Sequence, residues 1–169
     1  GAVGLTATWG GLQRQRGDHD AVYAALVSAF LGAMSLAVLA DNLGLLWVAV
    51  EATTIATAFL VGHHRTRTAL EAAWKYVVLG SVGIAIAFLG IVLLYAASRA
   101  AGPPTLSWVA LQQSGAGIDP MLVEVAVALA ILGFATKAGL APMHSWLPDA
   151  HSQAPAPVSG LMSGVLLSV

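Results

Sequence analysis

Cysteine is absent and charge is scarce. Without a thiol the chain can form no disulfide, no thiolate metal site and no cysteine-ligated iron–sulfur cluster. Any redox chemistry beside it therefore belongs to other subunits, and no cofactor or metal is expected in the chain itself. Only 9% of its 169 residues are charged, against about 25% in an ordinary soluble domain, too few to cover a surface in water. The net formal charge of -1 gives no basic footprint for nucleic acid. An initiator methionine and a signal peptide are also missing, and the last apolar run stops abruptly at Val169. The chain thus reads as a fragment of something longer.

What is present is apolar: 58% of residues are hydrophobic and mean hydropathy is +0.82. Crossing about 30 Å of hydrocarbon takes roughly 20 apolar residues. Such runs occur at Ala21–Ala40, at Leu43–Gly62 and over about Ala72–Ala97. A fourth starts at Asp119-Pro120, an N-cap residue followed by proline at the first helical position, and reaches about Lys137. A fifth starts near Pro157 and is cut short by the chain end. These predict an all-α, polytopic transmembrane bundle of about five helices over 21–169, in the lipid bilayer of the cell membrane, behind an N-terminal cytoplasmic segment, 1–20. Thr68-Ala69-Leu70-Glu71 has capping-box spacing at the start of the third helix. The stretch Ala100–Gly117 reads as an exposed loop, with Trp108 suited to the membrane interface. Arg14, Arg16, Arg65 and Arg67 lie on one side and Arg99 on the other, which puts the former on the cytoplasmic face. The runs are apolar nearly all round, so their periodicity says nothing about which face meets which neighbour.

Against that background three charges stand out. Glu51 lies inside the second run, and a carboxylate at membrane depth costs roughly 3 kcal/mol on insertion scales. Such residues mark ion or proton paths and have a partner nearby. Lys75 is on the next, antiparallel helix, roughly 10 Å deep against roughly 16 Å for Glu51, so the two are expected to pair. The bland alternative is a static ion pair, or a Lys75 that snorkels to the surface. Lys137 is followed by Gly139 and Pro142, which suggests a helix that breaks close to it and frees carbonyls for a cation or a water chain. The alternative there is a lysine that merely ends a helix in water. Glu124, in the first turn of its helix, and Glu71, as capping partner of Thr68, read as structural. His63 and His64 read as solvated. His144, Asp149 and His151 cluster in sequence, but Pro148 interrupts helical geometry between the histidines and the spacing fits no zinc signature. They read as protonatable groups at a water-facing connection, available for proton access.

The run Thr136-Lys137-Ala138-Gly139-Leu140-Ala141-Pro142-Met143-His144-Ser145-Trp146-Leu147-Pro148-Asp149-Ala150-His151, continued by Ala154-Pro155-Ala156-Pro157-Val158-Ser159, closely resembles a hallmark of the antiporter-like, proton-translocating membrane subunits. These occur in respiratory complex I, in multisubunit sodium/proton antiporters and in membrane-bound nickel–iron hydrogenases. Asp41–Thr54 and Leu70–Tyr76 look most like the hydrogenase branch, the formate-hydrogenlyase type. The resemblance implies part of one repeat of an inverted-repeat fold with a broken helix at the conducting site. It implies that Glu51 modulates the channel, that Lys137 carries the proton and that Lys75 influences the glutamate. It also implies partners: other membrane and peripheral subunits of an oxidoreductase complex, whose electron transfer drives the movement of protons. A sodium/proton antiporter subunit and a structural membrane scaffold are the rival readings. Where some relatives carry His or Lys in the next helix, this chain has Ser163 and Ser168, so a complete relay is not expected within it.

Overall fold

The computed structural model describes residues 19–62, 66–113 and 119–164. The N-terminal segment with Arg14 and Arg16, the loop residues His63, His64 and Arg65, and Ser168 lie outside them. Seven helices follow one another among the described residues: α1 His19–Leu39, α2 Leu43–Val61, α3 Arg67–Ala101, α4 Trp108–Gln113, α5 Pro120–Lys137, α6 Trp146–Gln153 and α7 Ala156–Gly164. Four of them, α1, α2, α3 and α5, are long and apolar enough to cross a membrane. The protein is a multi-pass, all-α membrane bundle, as composition and run length predict.

Local chemistry sets the helix ends. Asn42 caps α2, its side-chain oxygen accepting from the N–H groups of Gly44 (2.9 Å) and Leu45 (3.1 Å). Replacing Asn42 by Ala is expected to cost about 1 kcal/mol. That corresponds to a fall of roughly 2–8 °C in the melting temperature of the detergent-solubilised protein; an unchanged melt would remove the cap from the account. Asp119 caps α5 by accepting from the Met121 N–H at 3.0 Å, with Pro120 next, as the sequence predicts.

The start of α3 differs from expectation. Its N-cap is Thr66, whose hydroxyl accepts from the Ala69 N–H at 3.1 Å, and Glu71 pairs with Lys75 instead of closing a capping box on Thr68. Glu124 likewise falls one residue past the first turn of α5.

The stretch after α3 is more ordered than a plain loop. Ser107 and Asn42 form an isolated antiparallel bridge, and the Ser107 hydroxyl donates to Asp41 at 2.6 Å while also capping α4 by accepting from Ala110 at 3.2 Å. The connection is thus pinned across the α1–α2 turn. Trp108, the first residue of α4, is half exposed there.

Packing is closest between α3 and α5, and small residues make it so. A Cβ added at Gly83 would lie 2.6 Å from Thr136 Cβ, and one at Gly90 would lie 2.5 Å from the Ala126 carbonyl oxygen. Lipid tails are as apolar as leucine, so helices in a membrane gain by close backbone approach and not by hiding apolar surface. The outward faces stay apolar: Leu39, Phe59, Trp74 and Ile131 are all largely exposed. Trp47 adds a polar tie, its indole N–H donating to the Ile84 carbonyl at 2.8 Å between α2 and α3. At the end of the bundle where α1 begins, Tyr23, Val27 and Phe30 of α1 pack with Leu60, Tyr76, Trp146 and Leu161 in one buried cluster.

Candidate functional site

α5 ends at Lys137 by a complete Schellman arrangement. The Leu140 N–H donates to the Ala135 carbonyl (3.0 Å) and the Gly139 N–H to the Thr136 carbonyl (3.2 Å). Gly139 sits at φ +71°, the left-handed region that a Cβ disfavours. Beyond it the chain turns through Pro142 into α6, so the helix predicted to break near Lys137 does break there. The break lies at membrane depth, because Lys137 meets Thr54, near the middle of the membrane-crossing α2. Its exposed carbonyls are taken up inside the protein. Trp146, which is 1% exposed, donates its indole N–H to the Thr136 carbonyl at 3.0 Å.

Lys137 is 5% exposed. Its ammonium donates to the Thr54 hydroxyl at 2.7 Å and to the Tyr76 hydroxyl. Among the described residues no carboxylate lies within ion-pair distance of it; the ion pairs there both involve Lys75. The Thr54 hydroxyl donates its own hydrogen bond to the Val50 carbonyl at 3.2 Å, which leaves its oxygen free to accept. Tyr76 is fixed by an edge-on contact with Trp146, ring centroids 5.0 Å apart. A cation here is solvated by neutral oxygens, an arrangement that stabilises charge without trapping it in a tight ion pair.

Glu51 lies one helical turn before Thr54, so the two share a face of α2. It forms no ion pair with Lys137. One carboxylate oxygen accepts a long hydrogen bond from the Ser81 hydroxyl at 3.4 Å. The other is buried and has no hydrogen-bond partner among the described residues. Ser81 of α3 thus contacts Glu51, while Thr54 of α2 and Tyr76 of α3 contact Lys137.

Lys75 is placed elsewhere. Its ammonium binds Glu71 at 2.9 Å and Asp149 of α6 at 3.0 Å, with 49% of the side chain exposed. The expected Glu51–Lys75 pair is therefore not formed, and helix geometry gives the reason. Lys75 and Ser81 are six residues apart, which turns them about 120° from each other on α3. Ser81 faces Glu51, so Lys75 cannot. Similar depth does not imply a shared face.

The histidines and Asp149 also separate. Pro148 does not interrupt a helix but sits in the first turn of α6, where an N–H would have no helical partner. His144 is exposed before the helix, Asp149 turns to Lys75, and His151 Nδ1 meets the Ser159 hydroxyl of α7 at 2.7 Å. No three of the described His, Asp and Glu side chains converge as metal ligands. Ser163 is exposed in the last turn of α7.

Sequence reasoning missed Thr54, Tyr76, Ser81 and Trp146. A signal existed for one of them: Thr54 stands three residues after a membrane carboxylate, one turn along the same face. An apolar cleft of about 550 Å³ between α2 and α5 reaches the site from the other side, lined by Leu46, Val50, Thr53, Phe134 and Lys137 among others.

Comparison with known proteins adds to this geometry. Residues 40–169 match the family described as NADH:quinone oxidoreductase/Mrp antiporter, TM. The chain is 42% identical over 150 residues to the hydrogenase-4 component F homolog of Methylacidiphilum infernorum, covering 87% of this chain and 32% of that protein. It is 35% identical over 153 residues to NADH-quinone oxidoreductase subunit N of Cutibacterium acnes, covering 89% of this chain and 28% of the other. The chain thus spans about a third of the length of these relatives. Among solved structures it is similar to a chain of the membrane-bound sulfane sulfur reductase, an archaeal respiratory membrane complex, with TM-score 0.79, 32% identity, and coverage of 86% of this chain and 29% of that one. It is also similar to a chain of respiratory complex I from Thermus thermophilus with bound Aureothin, with TM-score 0.77, 27% identity, and coverage of 98% and 37%. With the family matched over most of its length, the chain belongs to the NADH:quinone oxidoreductase/Mrp antiporter transmembrane family.

Proposed function

We propose that this chain carries protons across the membrane as an antiporter-like part of a redox-driven complex of the hydrogenase or NADH:quinone oxidoreductase kind. Partner subunits supply the electron transfer, and the chain contributes no redox group. One observation carries the reading: a buried lysine at a helix break, hydrogen-bonded to the neutral hydroxyls of Thr54 and Tyr76, with a carboxylate on α2 one turn before Thr54. An anionic Glu51 stabilises the ammonium form of Lys137. Withdrawing that charge, by movement or protonation, frees the proton to leave. The unpaired oxygen of Glu51 suits this role, since a carboxylate locked in a full set of hydrogen bonds could not change state cheaply. The exposure of His144 on the connection beyond the break supports a role in exchanging protons with water, whereas His151 is half-buried in α6 against the Ser159 hydroxyl.

Glu51→Gln is the direct test. The amide keeps the shape and can still accept from Ser81, so the bundle is expected to assemble. Redox-driven proton uptake in vesicles carrying the intact complex is expected to fall several-fold. A scaffold would lose nothing, so wild-type uptake in this variant would sink the proposal. Replacing sodium by potassium throughout is expected to leave uptake unchanged; a strict sodium requirement would transfer the chain to the sodium/proton antiporter reading.

A further inference from the structure

The Lys75–Asp149 contact is outside the proposed proton path, yet it is in register with it. Lys75 and Tyr76 are consecutive on α3, and Trp146 and Asp149 are one turn apart on α6, on the same face. The two pairs meet each other: Tyr76 against Trp146 at 5.0 Å between ring centroids, Lys75 against Asp149 at 3.0 Å. Trp146 in turn holds the Thr136 carbonyl, the residue before Lys137, and Tyr76 accepts from the Lys137 ammonium. α6 is only 8 residues long, and the turn leading into it from Gly139 to Ser145 is not regular helix. A short helix of this kind needs external anchors to fix the break it follows.

The position of Lys75 across the membrane fits an anchor. α3 has 35 residues and so is about 52 Å long, well beyond about 30 Å of hydrocarbon. With the excess shared between both ends, Lys75 falls at the edge of the apolar layer. Trp74 beside it is 68% exposed, as suits an indole at that boundary. Glu71 and Asp149 add two carboxylates at the same level. A lysine with two carboxylate partners at an interface stays protonated and has no reason to hand its proton inward.

We infer that Lys75 is a positioning residue and not a proton carrier: through Asp149 it clamps α6 to α3 and so fixes Trp146 against the break at Lys137. This rests on the proposed role of Lys137, but the clamp itself can be read without any proton movement.

Conservative replacement separates clamp from carrier. Arginine keeps the ion pair with Asp149 but cannot release its proton. In vesicles carrying the intact complex, Lys75→Arg is expected to keep proton uptake within about twofold of wild type, whereas Lys75→Gln and Asp149→Asn each lower it several-fold. The double variant Lys75→Gln/Asp149→Asn is expected to be no worse than the poorer single variant, the non-additivity of residues acting as a pair. Equal losses in Lys75→Arg and Lys75→Gln would return Lys75 to the proton path, and additive losses would dissolve the pair. A second reading is structural. The chain has no cysteine of its own, so spin labels on cysteines at the exposed positions Val78 and Ser152 report the α3–α6 distance directly. The distribution is expected to be narrow in the parent and in Lys75→Arg, and broad in Lys75→Gln. A narrow distribution in Lys75→Gln would overturn the clamp. A broad one, in a protein whose Glu51→Gln variant pumps normally, would keep the clamp and sink only the proton reading.

Discussion

Replacing Lys137 by Met is expected to abolish redox-driven proton uptake while leaving the protein assembled. Methionine matches the unbranched stem of lysine, fills irregular space readily and brings no charge. Of the hydroxyls left behind, Thr54 still donates to Val50, and Tyr76 gives up its bond to the ammonium while its ring keeps the contact with Trp146. The bundle thus loses a proton site without losing its packing. Uptake in vesicles is expected to drop by far more than in Glu51→Gln, because that variant removes a modulator and this one removes the carrier. Lys137→Arg is expected to fail as well, for a different reason. A guanidinium keeps its proton, and it is too large for a site where the side chain is 5% exposed. The two variants therefore bracket the chemistry, one with no proton to give and one that will not give it. Native gel electrophoresis of the complex supplies the control for assembly. Wild-type uptake by correctly assembled Lys137→Met would end the proposal that this lysine carries protons.

Much of this was legible because charge in an apolar run is a strong and sparse signal. Glu51 stood out by its cost and Lys137 by the Gly139 and Pro142 beyond it, a spacing that correctly placed the break. The limits of α1, α2 and α5 followed from run length to within about two residues, whereas α3, expected over about Ala72–Ala97, runs from Arg67 to Ala101; the Asp119-Pro120 cap was found at its observed position. What failed was anything that needed to know which way a helix faces. The runs are apolar nearly all round, so nothing in them orients Lys75, and matching its depth to that of Glu51 led to a pair that a 120° turn of α3 forbids. The site's neutral members were hidden for a related reason. Thr54 and Tyr76 are hydroxyl residues of a kind common in membrane helices, and only their contact with Lys137 gives them meaning. Trp146 read as part of a family motif, but its task, taking up the Thr136 carbonyl at a helix end, is a tertiary one. Short elements were the other loss. α4 and α6 have 6 and 8 residues and are tied to Asp41 and Lys75, partners distant in sequence.

Gly133→Ala is expected to be the most damaging small substitution in the chain, and its contrast with Gly32→Ala isolates the reason. Both glycines lie inside membrane helices, where alanine is the better helix former by roughly 1 kcal/mol. At Gly32 a Cβ meets nothing within 4 Å, so Gly32→Ala is expected to be neutral or to raise the melting temperature slightly. At Gly133 the same methyl group would overlap the Ala87 N and the Gly83 carbonyl oxygen of α3. Those atoms are backbone and cannot rotate away, so α3 and α5 would have to separate. Overpacking costs typically 1–3 kcal/mol, and here it falls on the closest helix pair in the bundle, whose attraction is dispersion between backbones and weakens at once with distance. The consequence reaches the site. Thr136 and Lys137 ride on α5 one turn beyond Gly133, and Gly83 packs directly on Thr136. Displacing α5 therefore pulls the ammonium away from Thr54 and Tyr76. Gly133→Ala is expected to lower the melting temperature of the detergent-solubilised protein by several degrees, and to cut proton uptake even in the fraction that assembles. A variant that melts and pumps like the parent would mean that α3 and α5 are not held at backbone contact, and the geometry around Lys137 would have to be rebuilt from that point.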